Sequence, residues 1–269
     1  MIRAVPTAMA AGIEYAEAGQ CAQGEIPVIC LHGIGGSYAS FMPQLEQLSS
    51  IKRVIAWNMP GYGRSPLLAE TSFTGLAESL LQFMDALSID QAHLLGHSIG
   101  GMLAQELAFR HPERVASLAL LGTTAAFGGR DDRFKQQFLR ARLQPLDEGL
   151  TMPELAAQFV PQITGSHADK AVLEGATATM SEMPEASYRA ILACLVTFNR
   201  YQDTPRLTMP ACLIAGAEDN NAPVATMQKM AAKMSQAEFH VLDGVGHLIN
   251  LEAPLECGRI LQTFYSAQS

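Results

Sequence analysis

The chain has 269 residues, which is enough to bury a sizeable hydrophobic core in one large domain or two small ones. Its formal net charge of −8 argues against a nucleic-acid-binding surface, which normally needs a basic patch. No run of about 18 apolar residues occurs, which argues against a membrane span. We therefore expect a globular protein that binds neither nucleic acid nor a membrane.

The N-terminal segment lacks the pattern of a secretory signal. Pro6, Gly12 and Glu14 interrupt its apolar residues, so it has no continuous apolar stretch of roughly 7–15 residues. The five cysteines are odd in number, scattered and free of C-x-x-C pairs: Cys21, Cys30, Cys194, Cys212 and Cys257. Several lie in apolar runs, which predicts reduced, buried thiols and a cytoplasmic protein.

Short apolar runs alternate with amphipathic segments along most of the chain. Near-continuous apolar runs are typical of strands that are buried on both faces of a parallel sheet. The runs are PVICLHG, KRVIAWN, AHLLGHS, VASLALLG, ACLIAGAE and EFHVLDG. Between them, residues such as Leu76, Leu80 and Met84 recur at helical spacing. The alternation predicts an α/β fold with a doubly wound, mostly parallel sheet and right-handed crossovers.

Residues 123–206 break this alternation. They show helical periodicity but no convincing buried strand. The apolar faces pair Phe134 with Phe138, Leu155 with Phe159, and Tyr188 with Ile191 and Leu195. We predict an all-helical insertion over 123–206, within a core formed by 1–122 and 207–269. Because the flanking strands end at the carboxyl edge of the sheet, the insertion is expected to cover that edge as a cap.

The stretch LLGHSIGGML, from Leu94 to Leu103, contains the pattern G-x-S-x-G between a strand and a helix. This pattern is a nucleophile elbow, a sharp turn that exposes a serine at the edge of the sheet. Gly96 and Gly100 leave room for the tight backbone, and Gly101 lets the helix pack closely. The stretch predicts Ser98 as a nucleophile at the positive end of a helix dipole.

A serine nucleophile needs a base and a group that orients this base. Asp219 follows one predicted strand and His247 follows the last one, which gives the order Ser–Asp–His expected for this motif. Glu218 and Asp243 are the alternative acids. We interpret the other histidines as structural or surface residues: His32, His93, His97, His111, His167 and His240.

Acyl transfer also needs hydrogen-bond donors for the oxyanion that develops in the transition state. The first predicted donor is the backbone N–H of Ile99, which follows the serine. The second is expected from the glycine-rich loop LHGIGGS, where the N–H of Ile34 is the candidate and that of Gly35 the next choice.

Taken together, the motifs HGIGGS, NMPGYGRS, GHSIGG, HPERV, GAEDNNAP and GVGHLINLEAP resemble those of the α/β-hydrolase family in order and spacing. The resemblance covers essentially the whole chain. It implies Ser98 as nucleophile, Asp219 as acid, His247 as base, Ile34 and Ile99 as oxyanion donors, and a helical lid. Within the family, the chain looks most like 3-oxoadipate enol-lactonases, and it is similar to meta-cleavage product hydrolases and carboxylesterases.

One residue departs from the family pattern. Asn58 stands in NMPGYGRS where the family usually has aspartate. That position organises a loop and is not catalytic, so we expect a local change in hydrogen bonding without loss of activity.

Three functions remain open from the sequence. The first is a hydrolase of a small carboxylic ester or lactone that forms an acyl-enzyme, without cofactor or metal, as a monomer or homodimer. The second is a carbon–carbon hydrolase that uses the same triad on an acidic dienone. The third is a small-molecule receptor that keeps the hydrolase fold.

The basic stretch GRDDRFKQQFLRAR bears on the second function. One of its cationic side chains would be a natural anchor for an acidic substrate, although the stretch is more typical of a solvated helix face. The cations are Arg130, Arg133, Lys135, Arg140 and Arg142.

Overall fold

One eight-stranded sheet runs through the molecule and supports the candidate site. The structure, a computed structural model, describes residues 6–20, 25–128 and 132–268. The strands are β1 (Thr7–Ala10), β2 (Ile13–Ala18), β3 (Val28–Leu31), β4 (Val54–Trp57), β5 (Ala92–His97), β6 (Val115–Leu121), β7 (Ala211–Gly216) and β8 (Ala237–Leu242). They lie in the order β1-β2-β4-β3-β5-β6-β7-β8, and β3 to β8 are mutually parallel. The predicted α/β class with a mostly parallel sheet is confirmed.

Ten helices within the described residues cover both faces of this sheet and build the insertion after β6. They are α1 (Met42–Leu48), α2 (Phe73–Ala86), α3 (Ile99–Arg110), α4 (Asp132–Asp147), α5 (Met152–Ile163), α6 (Lys170–Ser181), α7 (Glu185–Leu195), α8 (Val224–Ala231), α9 (Ile249–Glu252) and α10 (Pro254–Ser266). Helices α1 and α10 share a hydrophobic cluster with one face, and α2, α3 and α8 share another with the opposite face. Strand β7 is buried along its whole length because its side chains alternate between these clusters.

An antiparallel hairpin extends the sheet at its N-terminal edge and is absent from the sequence prediction. Strands β1 and β2 pair with each other, and β2 pairs with β4 in antiparallel register. The turn contains Ala11 and Gly12, both with positive φ. Strand β1 is four residues long with no buried residue, so it gives no apolar run that sequence analysis can detect.

The insertion between β6 and β7 is helical in its described part, where it forms α4 to α7. Its described residues form no strand beyond one isolated bridge between Ala126 and Asn199. Near its end, Arg200 donates to both carboxylate oxygens of Glu106 on α3, at 2.7 and 2.9 Å. This buried carboxylate ties the end of the insertion to the core of the fold.

The Asn58 side chain takes part in a network that includes a carboxylate from a different strand. Its Nδ2 donates to Glu14 Oε2 at 2.8 Å, and its Oδ1 accepts from the N–H of Tyr38 at 2.8 Å. Glu14 lies on β2 and also accepts from Arg64 Nε at 2.8 Å. The negative charge in this network is therefore supplied by Glu14, so an asparagine at position 58 still orders the loop.

Three of the four buried histidines within the described residues lie on or directly after strands β3 and β5: His32, His93 and His97. Burial lowers the pKa of His32 to about 4, of His93 to about 4 and of His97 to about 3. His32 has a defined neutral tautomer, because its Nδ1 donates to the Gly33 carbonyl at 2.9 Å while its Nε2 accepts from the Met59 N–H at 3.0 Å. These side chains are neutral in the native protein over most of the acidic range.

We expect the free energy of unfolding to fall as the pH drops from about 6.5 towards 4. In that window the unfolded chain binds protons at these histidines and the native protein does not, so acidification favours unfolding. At pH 5, each of these histidines is expected to lower the free energy of unfolding by about 2 kcal/mol relative to its value at pH 7.5. Urea unfolding at pH 7.5 and pH 5 measures the effect.

A variant tests whether the buried histidines cause this pH dependence. His93→Leu is expected to remove about one third of the difference between the two pH values, because one of three similar contributions is gone. His111→Gln is the matched control for the loss of a histidine, since the His111 side chain is 41% exposed. Equal stability of the unmodified protein at both pH values would contradict the explanation.

Candidate active site

Ser98 lies at the turn between β5 and α3. It is one of three described non-glycine residues with positive φ, at φ 54° and ψ −121°. Its N–H donates to the Leu121 carbonyl at 2.9 Å, and its carbonyl accepts from Thr123 Oγ1 at 2.7 Å. The same carbonyl accepts from the N–H groups of Gly101 and Met102. Hydrogen bonds with the end of β6, with the loop after it and with the first turn of α3 therefore hold Ser98 in a backbone conformation that a serine rarely adopts.

The glycines around Ser98 are required by close approaches of the backbone. A Cβ atom on Gly100 would collide with the carbonyl oxygen of Leu31 on the adjacent strand. A Cβ on Gly101 would lie 2.6 Å from Thr123 Cγ2. Positive φ in this turn is confined to the serine, so the glycines serve for close packing and Ser98 itself carries the strain.

His247 and Asp219 form a hydrogen-bonded pair after the last two strands. The distance between His247 Nδ1 and Asp219 Oδ2 is 2.7 Å, and both residues are buried. Asp219 Oδ1 accepts from the N–H groups of Asn221 and Ala222 at 2.7 and 3.1 Å. Burial opposes the charged form of Asp219, but His247 and these two amides more than offset it and hold the pKa of Asp219 below its usual value. The carboxylate is therefore ionised and able to orient a neutral or protonated imidazole.

The two alternative acids lie elsewhere. Glu218 accepts from the N–H and Oγ of Ser166 at 2.7 and 2.6 Å and is exposed. Asp243 is exposed and makes no hydrogen bond with the described residues. Of the three acids that the sequence offers, the structure brings only Asp219 to His247.

The two predicted oxyanion donors flank the serine turn. Ile99 is the first residue of α3, and its N–H is one of the amides that an α-helix leaves without an internal partner. Ile34 lies in the loop after β3, and its side chain lines the same cavity as Ser98. Neither N–H donates to any residue within the described ranges, so both amides are available for a ligand.

A cavity of about 540 Å³ joins these elements. Ser98, His247 and Ile34 line it from the sheet side, and Phe138 and Tyr188 line it from the helical insertion. No hydrogen bond joins Ser98 Oγ to His247 Nε2; in ligand-free enzymes such bonds are often long and shorten when substrate binds. Three of the five predicted site residues, Ser98, His247 and Ile34, thus line one cavity beneath the insertion. Asp219 adjoins it through its hydrogen bond to His247, and Ile99 adjoins it as the residue that follows Ser98.

The structure adds two side chains that hold the histidine loop and that sequence analysis did not assign to it. His97 Nε2 donates to the His247 carbonyl at 2.7 Å, so the His97 side chain fixes the backbone of the loop that carries His247. Glu252 accepts from the N–H groups of Gly246 and Leu248, each at 2.8 Å, and from that of Gly165 at 2.7 Å. No sequence signal separates these residues from an ordinary buried histidine and an ordinary helix glutamate.

One group of three metal-ligand types occurs within the described ranges, away from this cavity. Cys212, Glu238 and His240 lie on β7 and β8 with their ligand atoms within 4.8 Å of one another. Burial raises the pKa of the Cys212 thiol far above its usual value, so the sulfur is protonated.

The sequence from residue 26 to 254 matches the profile of the family described as alpha/beta hydrolase fold. The chain belongs to this family. The prediction of an α/β-hydrolase enzyme is thereby confirmed. The described helices are too short or too polar to cross a membrane.

Relatives of this α/β-hydrolase differ in the activities that their names state. The RutD protein of Variovorax paradoxus, named as a carbamate hydrolase, is 29% identical over 249 residues, which cover 90% of this chain and 92% of that protein. The dihydrolipoyllysine-residue acetyltransferase component of the acetoin cleaving system of Pseudomonas putida is 27% identical over 247 residues. That match covers 90% of this chain and only 64% of the acetyltransferase component.

A solved structure shows how well the whole α/β-hydrolase fold is preserved. The enol-lactonase from Burkholderia xenovorans LB400 superposes with a TM-score of 0.85 at 24% identity, and the match covers 97% of this chain and 100% of that one. At this identity the likeness establishes the fold alone.

Proposed function

We propose that this α/β-hydrolase cleaves a small carboxylic ester or lactone through an acyl-enzyme, with Ser98 as nucleophile, His247 as base and Asp219 as the orienting acid. The observation that carries the proposal is the 2.7 Å hydrogen bond between His247 Nδ1 and Asp219 Oδ2. Because the aspartate occupies Nδ1, the other imidazole nitrogen is the one left to exchange a proton with the serine. His247 and Ser98 line the same cavity.

In the first half of the reaction, Ser98 Oγ attacks the substrate carbonyl while its proton passes to His247 Nε2. The carbonyl oxygen becomes an oxyanion, which accepts hydrogen bonds from the N–H groups of Ile34 and Ile99. The bond between the carbonyl carbon and the leaving oxygen then breaks. His247 returns the proton to that oxygen, and an acyl group remains on Ser98.

In the second half, water attacks the acyl carbon and gives a proton to His247. The same two amides stabilise the second oxyanion. The bond to Ser98 Oγ then breaks, and the proton from His247 restores the hydroxyl as the carboxylic acid leaves. Asp219 stays ionised throughout and stabilises the imidazolium that forms in each half.

The helical insertion is proposed to act as a lid that selects substrates. Side chains from three of its helices, among them Phe138, Phe159 and Tyr188, contribute to the apolar part of the cavity wall. Apolar contacts of this kind discriminate between acyl groups by size and shape, while the chemistry takes place at the edge of the sheet below. The names of the relatives, an enol-lactonase and a carbamate hydrolase, support small substrates of the acyl class.

Labelling with an alkyl fluorophosphonate tests the proposed function directly. The reagent reacts with a serine only when a base activates it and amides stabilise the oxyanion. We expect one label per chain, on Ser98, as located by mass spectrometry of proteolytic fragments. Label on another residue, or no label, would remove Ser98 from the role and favour a receptor that merely keeps the fold.

A substrate panel separates the proposed reaction from carbon–carbon hydrolysis, which the same three residues can perform. Purified protein is assayed with short-chain esters, lactones and a ring-fission dienone. Turnover of esters or lactones with kcat/KM above that of the dienone supports the proposal. Turnover of the dienone alone would replace it with the carbon–carbon hydrolase.

A further inference from the structure

Arg142 is the one charged arginine or lysine side chain among the described residues that line the cavity. It lies on α4, in the basic stretch whose role the sequence leaves open. Arg140, two residues earlier on the same helix, is exposed. Lys135 forms an ion pair with Asp132 outside the cavity lining. Arg130 lies outside the described residues.

The Arg142 guanidinium has no acidic partner within the described part of the chain. No described Asp or Glu forms an ion pair with it, and none lines the cavity. Other arginines of the insertion do have such partners: Arg189 pairs with Asp147 at 2.7 Å, and Arg200 pairs with Glu106 at 2.7 Å. Burial lowers the pKa of Arg142, because the charged form loses contact with water there. A desolvated cation without a partner is unfavourable unless a ligand supplies the opposite charge.

Two aromatic rings hold the guanidinium in place. Its carbon Cζ lies 4.1 Å from the ring centre of Phe159 and 5.4 Å from that of Phe138. Contacts with ring faces stabilise a cation and restrict its plane, yet they use none of its five N–H donors. The donors therefore remain available to a ligand in the cavity.

We infer that Arg142 binds a free carboxylate of the substrate, so that the preferred ester or lactone is an anion. A guanidinium matches a carboxylate with two parallel N–H···O bonds, which gives orientation as well as affinity. The other cavity residues from the insertion are apolar or uncharged and bind the carbon chain between this carboxylate and the scissile carbonyl. The inference rests on the proposed function, because it places both groups of one substrate in the cavity that contains Ser98.

Matched ester pairs test the inference. The 4-nitrophenyl monoesters of glutaric and adipic acid carry a free carboxylate, and the corresponding methyl 4-nitrophenyl diesters are neutral analogues with the same scissile bond. Nitrophenolate release is measured after subtraction of the rate without protein. We expect kcat/KM for the monoester to exceed that for its diester at least tenfold for one of the two chain lengths, with most of the difference in KM.

Variants then assign the preference to one side chain. Arg142→Gln is expected to lower the ratio of monoester to diester kcat/KM at least tenfold. Arg140→Gln removes the same charge from the same helix outside the cavity, and it is expected to keep the ratio of the unmodified protein. Arg142→Lys keeps the charge but loses the bidentate geometry, so it should show an intermediate ratio.

A second readout needs neither turnover nor a variant that folds. Glutarate is expected to protect Ser98 of the unmodified protein from the fluorophosphonate, whereas glutaramide at the same concentration is not. Equal protection by both compounds, or equal rates for monoester and diester, would overturn the assignment of Arg142. Failure of the proposed function is distinct, since then neither ester is hydrolysed and Ser98 is not labelled at all.

Discussion

Ser98→Ala is expected to lower kcat/KM for 4-nitrophenyl esters at least about a thousandfold, because a triad acts as a unit and the loss of its nucleophile removes the acyl-enzyme route. The protein should still fold. The Ser98 side chain makes no hydrogen bond with the described residues, whereas the backbone bonds that hold its turn do not depend on the side chain. Steady-state kinetics and thermal unfolding of the same preparation measure both effects. Retention of more than a few per cent of kcat would contradict the role of Ser98.

A glycine variant separates activity from stability at this position. Ser98 has φ 54°, where a side chain is strained and glycine is not. Ser98→Gly is expected to lose activity as fully as Ser98→Ala. Its free energy of unfolding is expected to exceed that of Ser98→Ala by about 1 kcal/mol, so it should unfold at a higher temperature. A glycine variant that is inactive and more stable than the alanine variant indicates that the backbone at Ser98 is strained and that this strain accompanies exposure of the hydroxyl. A glycine variant no more stable than the alanine variant would argue against stored strain.

Asp219→Asn is expected to lower kcat about a thousandfold or more, because an amide at this position favours the wrong tautomer of His247. The carboxylate accepts from His247 Nδ1 in the structure, and this bond keeps the proton on Nδ1 and leaves Nε2 as the base. The same replacement changes little of the local fold, since Asn retains an oxygen for the Asn221 and Ala222 amides. Initial rates and labelling rates of Ser98 should fall together.

Asp243→Asn is the matched control for this prediction. Asp243 lies four residues before His247 but is exposed and outside the cavity lining. Asp243→Asn should therefore leave most of the activity intact. Glu218→Gln should do the same, because the Glu218 carboxylate bonds to Ser166 and not to His247. If Asp243→Asn proves more damaging than Asp219→Asn, the acid has been assigned to the wrong residue.

Much of the fold is predictable because its signals are local. Strands β3 to β7 are apolar runs, since both faces of the parallel sheet are buried along them, and the serine turn has a compact glycine pattern. The hairpin of β1 and β2 is the exception. Its short first strand is held by pairing with distant β4 through β2, and no local pattern encodes that partner.

The sequence by itself determined the order of the elements, the elbow at Ser98 and a short set of acids that could serve His247. It did not determine which acid reaches the imidazole, because the direction of a loop side chain depends on how two strand ends pack. It also left five cations in one basic stretch equivalent. Only the tertiary structure separates Arg142 from Arg140, since helical rotation turns one guanidinium towards the cavity and the other towards solvent. Which face of α4 is covered depends on α5 and α7 packing against it, and that is a property of the assembled chain.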